Sequence, residues 1–257
     1  MSIHPTAIVD ATAKLGENVS VGAYTVIGGN VQIGSDTIVG PHVVINGPTK
    51  IGTNNHIFQF ASIGDAPQDK KYNGEPTELI IGDRNVFREC CTINRGTVTG
   101  HGVTRIGSDN LFMAYTHVAH DCIVGDKCIL ANNAGLAGHV ELDDWVIISA
   151  YAGVHQFCKV GAHAFLGNNA AATRDVPPYV MAVGSPAEPH SVNSEGLKRR
   201  GFSADQIRNI RNAYKVLYRS QLKLDEAVAQ LTELAKTQDE IKLFVDFMPR
   251  SQRSLIR

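Results

Sequence analysis

Ten histidines lie along the 257 residues, and two of them, His117 and His120, stand in the short block that runs from Tyr115 to Asp121. An imidazole titrates near neutrality, so it can take a proton from a hydroxyl and return it within one reaction cycle. Two further imidazoles, His139 and His155, lie at intervals close to multiples of eighteen residues from this block, and Gly138 and Gln156 stand eighteen and thirty-six residues after His120. A lone exposed histidine is usually surface. Several brought together by the chain's own period form a proton-transfer site, provided the chain does repeat every eighteen residues.

The hydrophobic pattern says that it does. Ile3, Val9, Leu15, Val21, Ile27, Ile33, Val39, Ile45, Ile51, Ile57 and Ile63 fall six apart without a miss, although Ile, Leu and Val are only 60 of the 257 residues. The register resumes at Ile81, Phe87 and Ile93, and again from Ile106 to Leu166. Two residues before each aliphatic stands a short side chain such as Ala13, Thr25, Cys122 or Ala134. A period of six fits neither a helix at 3.6 nor a long alternating strand. It fits short strands joined by tight turns, three to a coil, stacked as a solenoid. Residues 3–172 then make between nine and ten coils, a prism about 45 Å tall at roughly 4.8 Å per coil. Val118 points inward by register, so His117 and His120 flank it and point out. Residues eighteen apart stack on successive coils, which gathers His120, Gly138, His139, His155 and Gln156 along one edge.

Two stretches break the count. Residues 64–80 replace three hexads with polar and turn-forming residues, and residues 95–105 insert a second loop. Loops extruded from a rigid scaffold are where function concentrates. After Thr173 a proline-rich stretch ends the repeat, because proline donates nothing to a ladder. The remainder of the chain reads as helical. Ser203 and Gln206 form a capping box ahead of Ile207, Ile210, Tyr214 and Leu217. A second helix runs near Leu224–Lys236 and a third near Glu240–Phe247. The chain therefore divides into a β-solenoid over 1–189 and a helical domain over 190–257. The first carries 11 Lys and Arg against 17 Asp and Glu, a net −6, and the second 13 against 8, a net +5. A basic end suits an acidic partner or a phosphorylated ligand. No stretch has the length of a membrane span, and the first residues lack the pattern of a signal peptide, so a cytoplasmic protein is expected. Cys90, Cys91, Cys122, Cys128 and Cys158 form no CxxC pair, and all but Cys90 fall at small inward positions, so free packing thiols are expected.

The hexads resemble those of the hexapeptide-repeat acyltransferases, whose prism is a left-handed parallel β-helix that packs into trimers. Within that group the chain is similar to the UDP-N-acetylglucosamine O-acyltransferase family of lipid A biosynthesis. The matching segments include HVAHDC around His120, ANNAGLAGHVELDD around His139 and GVHQFCKVGAH around His155. FASIGDAPQDKKY with GEPT matches in the first loop, INRGTV in the second, RDVPPYVM after the repeat, and NSEGLKRRGFS in the tail. The resemblance implies a 3-hydroxyacyl transfer from acyl carrier protein to the glucosamine 3-hydroxyl of UDP-N-acetylglucosamine, without metal or tightly bound cofactor and without a nucleic-acid partner. It implies that His120 is the general base, that Asp121 orients it, and that the Gly138 N–H stabilises the oxyanion. Asp69, Lys71, His117 and His139 would position the sugar. His155, Gln156, Asn193, Glu195, Arg199 and Arg200 would bind the uridine diphosphate or neighbouring carrier groups, for which forked arginine donors are suited.

Three residues depart from the family pattern. Asn94 stands where relatives often have His, Lys70 where they often have Leu, and Asn168 where they carry Gly or a bulkier residue that limits acyl length. Rival readings are another hexapeptide transferase, a γ-type carbonic anhydrase with zinc on His117, His120 and His139, and a non-enzymatic scaffold. The first loop and helical tail together argue against the first two, and the clustering of histidines with Asp69 and Lys71 argues against the third.

Overall fold

A computed structural model describes residues 2–257. Short strands, parallel except for the last, stack into three sheets of eleven, nine and eight strands, and up to Ala172 each strand pairs with the one three elements on. Ser20 pairs with Ile38, Val26 with Val44 and Lys14 with Gln32, so one coil is eighteen residues long. The result is a left-handed parallel β-helix of three faces and three corners. Its interior is solid. The inward aliphatics from Val21 to Leu166 are buried, and Phe87 and Phe112 stack inside it with ring centroids 4.8 Å apart. Cys91, Cys122, Cys128 and Cys158 are buried among them, and all five cysteines are free. Burial raises the Cys122 and Cys128 thiols to about 12, which makes them inert packing residues.

The two interruptions leave the prism without breaking it. His56 pairs with Val86 and Val86 with Leu111, so the coils on either side stay stacked. The extruded parts are shorter than the hexad count suggests. Strand Ser62–Asp65 runs on past residue 64 through a bulge opposite Asn94, and strand Glu78–Ile81 resumes before residue 80. The repeat also outlasts Thr173. Val180–Val183 adds one more parallel rung against Phe165 and Leu166 before turning back through Glu188–Val192. The prolines Pro177 and Pro178 are tolerated because they occupy a turn, where no ladder donor is required.

Four helices complete the chain: α1 Ser194–Arg199, α2 Ala204–Arg219, α3 Leu224–Leu234 and α4 Lys242–Phe247. The capping box at Ser203 and Gln206 is formed, and Ile207, Ile210, Ala213, Tyr214 and Leu217 make the buried stripe of α2. The last residues then return to the prism. Buried Asp175 accepts from Lys159 N at 2.7 Å, Ser251 Oγ at 2.7 Å, Gln252 N at 2.9 Å and Arg253 N at 3.0 Å, tying the C-terminal segment across the end of the β-helix.

Candidate active site

The site forms at one corner of the prism, where each coil turns between its second and third strand. Asp121, His139 and Phe157 are the successive turning residues there, with φ of 60°, 63° and 66°. This left-handed backbone throws each side chain out from the corner, one above the other. His120 and His139 meet edge-on with centroids 5.1 Å apart, and His139 stacks on Phe157 at 4.4 Å. His120 Nδ1 lies 2.9 Å from Asp121 Oδ2. Asp121 is wholly buried. Burial alone would raise its carboxyl, but hydrogen bonds from His120, from the Thr97 hydroxyl and from the Thr97 and His101 N–H groups outweigh it and hold the group at about 2. The carboxylate is ionised at neutral pH and can only accept, so neutral His120 carries its proton on Nδ1 and presents the Nε2 lone pair outward.

Gly138 fits against that ring. A Cβ there would lie 2.7 Å from His120 Cε1 and 2.8 Å from Nε2. The backbone therefore passes in contact with the imidazole, and the Gly138 N–H finds no backbone acceptor among the described residues. The first loop closes the cavity. Gln68, Asp69, Lys70 and Lys71 face Thr99, His120, His139, Gln156 and Phe157 across a cleft of about 640 Å³. The loop is tethered by Asn94, whose Nδ2 donates to Ala66 O at 3.0 Å, and by Arg95, which donates to Gly64 O and, at 2.9 Å, to the Tyr72 hydroxyl. An asparagine at position 94 is thus a buried loop anchor.

His117 and His155 stand beside this cleft, on the adjoining flat face. They border an apolar groove of about 430 Å³ floored by Gly135, Leu136, Gly153, Val154 and Ala171. His117 Nδ1 is 2.8 Å from Thr92 Oγ1, and burial lowers its pKa, helped by His120. Burial lowers His139 too, against the pull of Asp121. The group with metal-holding spacing is His120, Asp121 and His139, with ligand atoms within 4.8 Å, and His117 is not in it. Asp121 spends its lone pairs on four protein donors, which fits an orienting carboxylate better than a ligand. Asn168 is exposed at the far corner of the grooved face.

The tail residues go elsewhere. Asn193 caps α1 and donates to His163 O at 3.3 Å, and Arg200 Nη1 lies 2.9 Å from His163 Nδ1 with its guanidinium 5.0 Å from the Trp145 ring. Glu195 pairs with Lys198, and Arg199 is exposed. Trp145 and His163 belong to the third corner of the prism, so one chain does not bring Asn193, Glu195, Arg199 and Arg200 to His120. Thr97, Thr99, His101 and Thr104 are site residues that spacing alone does not reveal. The hint is a loop rich in threonine and glycine. Phe157 is within reach of the register, since it stands eighteen residues after His139.

Two kinds of sequence signature match the chain. A family model described as UDP-N-acetylglucosamine O-acyltransferase, domain 2, covers residues 175–256, and bacterial transferase hexapeptide repeats cover 12–47 and 103–138. The acyl-[acyl-carrier-protein]–UDP-N-acetylglucosamine O-acyltransferase of Thiobacillus denitrificans is 59% identical over 256 residues, which is 100% of this chain and 99% of that one. The enzyme of the same name from Stenotrophomonas maltophilia is 58% identical, covering 99% and 97%. Among solved structures, UDP-N-acetylglucosamine O-acyltransferase from Moraxella catarrhalis superposes with a TM-score of 0.98 at 48% identity, over 100% of both chains. The UDP-N-acetylglucosamine acyltransferase of Francisella novicida gives 0.97 at 45%, over 99% and 94%.

Proposed function

The chain belongs to the UDP-N-acetylglucosamine O-acyltransferase family, and on that premise we propose that it moves a 3-hydroxyacyl group from acyl carrier protein to the 3-hydroxyl of UDP-N-acetylglucosamine. This is the first step of lipid A biosynthesis. The observation that carries the mechanism is the buried, ionised Asp121 on His120 Nδ1, which leaves Nε2 as a base facing the cleft beside Gly138. His120 Nε2 takes the proton of the glucosamine hydroxyl as its oxygen bonds to the thioester carbon. The carbonyl oxygen becomes an oxyanion and receives the Gly138 N–H. The intermediate then collapses, the carbon–sulfur bond breaks, and the imidazolium returns the proton to the departing thiolate. Asp69, Lys71, His117 and His139 position the sugar.

On this reading His155 and Gln156 from this chain and Asn193, Glu195, Arg199 and Arg200 from a second copy bind the uridine diphosphate or neighbouring carrier groups. A homotrimer is the assembly that joins them. Two of the three prism faces support it. One carries the outward ladder Ile38, Val86, Leu111, Ile129, Ile147 and Phe165, and the other carries Val26, Val44, Thr92, His117 and the bare Gly135 and Gly153. The corner between them exposes Tyr24, Phe60, Tyr115 and Tyr151. The third face is more polar, with Lys14, Gln32, Lys50, Arg105, Glu141 and Lys159 beside Ile80 and Ile123, and Arg250 of the C-terminal segment pairs with Glu141 there. Burying the first two faces against neighbours removes most of the outward apolar surface. The net +5 of residues 190–257 suits an acidic carrier protein. Among the described residues no helix is long and apolar enough to cross a membrane, and a cytoplasmic reaction is part of the proposal.

Mass spectrometry of products from UDP-N-acetylglucosamine and mixed acyl carrier protein donors tests the reaction, and His120→Ala tests the base. The variant should fold and assemble but lose turnover. Retention of more than about a tenth of the wild-type rate would contradict the role, since a general base contributes roughly 10²–10⁴-fold.

A further inference from the structure

The second extruded loop converges on the carboxylate that His120 leans on. Thr97 N–H lies 3.1 Å from each oxygen of Asp121, Thr97 Oγ1 donates to Oδ2 at 2.6 Å, and the His101 N–H donates to Oδ1 at 2.9 Å. The Asp121 N–H in turn donates to Thr104 Oγ1 at 2.8 Å. Because an ionised carboxylate only accepts, the Thr97 hydroxyl proton points at Asp121. Its lone pair is left to accept from Thr99 Oγ1, 3.1 Å away. Thr99 is exposed and lines the substrate cleft, whereas Thr97 is buried. A hydrogen-bond chain therefore runs from the cleft wall through Thr99 and Thr97 to Asp121 and His120, and such chains polarise along their length.

The loop packs closely at both its neck and its tip. A Cβ on Gly96 would collide with Val103 N, which pinches the loop's neck, and a Cβ on Gly100 would collide with the Asp121 carboxyl group. The titratable groups facing Asp121 are His120, His139 with Nε2 at 3.9 Å, and His101 of the loop; His120 is also faced by His117 and by Lys70 and Lys71 across the cleft. Asp69 stands across the cleft from His139.

We propose that Thr97 is a positioning residue for the transfer reaction: its hydroxyl shares the Asp121 charge with His120 and so sets the pH above which His120 is free to act as base. The inference rests on the reading of His120 as that base. Without the hydroxyl, Asp121 turns more of its charge toward the imidazole and favours the imidazolium. The acid limb of activity must then move to higher pH.

The test is kcat and KM across the acid and neutral range for Thr97→Val, Thr97→Ser and Gly100→Ala. Thr97→Val should raise the acid limb of kcat/KM by about one pH unit and lower kcat about tenfold, with KM within about twofold. Thr97→Ser, which keeps the hydroxyl, should behave as wild type. Gly100→Ala, which forces the loop from Asp121, should move the acid limb in the same direction, and it decides the matter if Thr97→Val does not fold. An unmoved acid limb in the variants that fold overturns the proposal, whatever their kcat, because a merely structural loop would lower activity at every pH alike. A Ser variant that behaves like Val overturns it too. Failure of the base reading looks different: His120→Ala would keep its turnover regardless of Thr97.

Discussion

Gly138→Ala is the sharpest test of the corner's geometry. The added methyl would stand 2.7 Å from His120 Cε1, against the 3.4 Å at which ordinary contact begins, so the ring or the backbone must give by about 0.7 Å. The ring cannot easily turn away, because Nδ1 is tied to buried Asp121. A displacement approaching 1 Å at the reacting atoms costs on the order of 10²-fold in rate. Any shift of the residue 138 backbone also moves the N–H proposed as the oxyanion donor, and the loss of such a donor costs roughly 10²–10³-fold. We expect kcat to fall at least about a hundredfold while the melting temperature changes little, since Gly138 is at a corner and outside the aliphatic stack. Steady-state kinetics and a thermal melt on one preparation decide it. A variant with wild-type kcat would refute the contact, and one that loses activity only by unfolding would refute the catalytic assignment. His120→Ala/Gly138→Ala should be barely slower than His120→Ala alone, because the clash needs the imidazole.

Asp121 makes stability depend on acidity. Its folded-state value is depressed from 3.8 to about 2, so its contribution, roughly 2 kcal/mol, is present above pH 3.8 and is lost as pH falls toward 2. Urea midpoints should therefore drop across that window in the wild type and drop less in Asp121→Asn; equal slopes would mean that the carboxylate is not held as described. Mixing inactive His120→Ala with an Arg199→Ala/Arg200→Ala variant and reassembling them should restore part of the activity, because some sites then combine two intact halves. No recovery in any ratio, with mixed trimers present by mass, counts against a shared site. Asn168→Gly should shift preference toward longer 3-hydroxyacyl donors, at about 0.8 kcal/mol per added buried methylene. An unchanged donor profile would mean that this corner residue does not measure the chain.

The solenoid is legible in the sequence because its signal is one-dimensional. An inward aliphatic every six residues fixes the strands, the coil length and the stacking of His120, Gly138, His139 and Gln156. The outward residues carry a second message with a period of eighteen that the inward hexads obscure: Ile38, Leu111, Ile129 and Ile147 on one face against Lys14, Lys50, Glu141 and Lys159 on another. The clamp on Asp121 is not legible. It joins residues 97 and 121 through a loop whose path depends on Gly96 and Gly100, and no periodicity spans it. Helix α1 escapes as well, because six residues with Gly196 inside show no apolar stripe, and its start rests on the Asn193 side chain accepting from Gly196 N at 3.2 Å. Proline content puts the end of the repeat too early, because Pro177 and Pro178 sit where the ladder turns and not where it would need a donor.

The turning residues of the coils show where a featureless prism acquires function. Each coil needs a left-handed residue at its corners, and where nothing else is asked the chain uses residues that tolerate it: Asn18, Asn30, Asp36, Asn54, Asp109, Asn133 and Asn169. A bulky side chain there costs about 1 kcal/mol or more, so each exception implies a compensating contact. His42, Arg84, Cys90 and Lys127 aside, the exceptions are sorted by corner. Tyr24, Phe60, Tyr115 and Tyr151 line the edge between the two apolar faces, where a neighbouring copy would cover them. His139 and Phe157 rise above Asp121 at the cleft. Trp145, His163 and Tyr179 form the stack on which Phe202 and Arg200 of the helical domain rest. On the proposed reading, assembly, chemistry and domain docking each occupy one corner. A trimer that turns the first corner inward brings the second corner of one copy toward the third corner of the next, which is the arrangement that would let His120 and Arg200 serve one substrate.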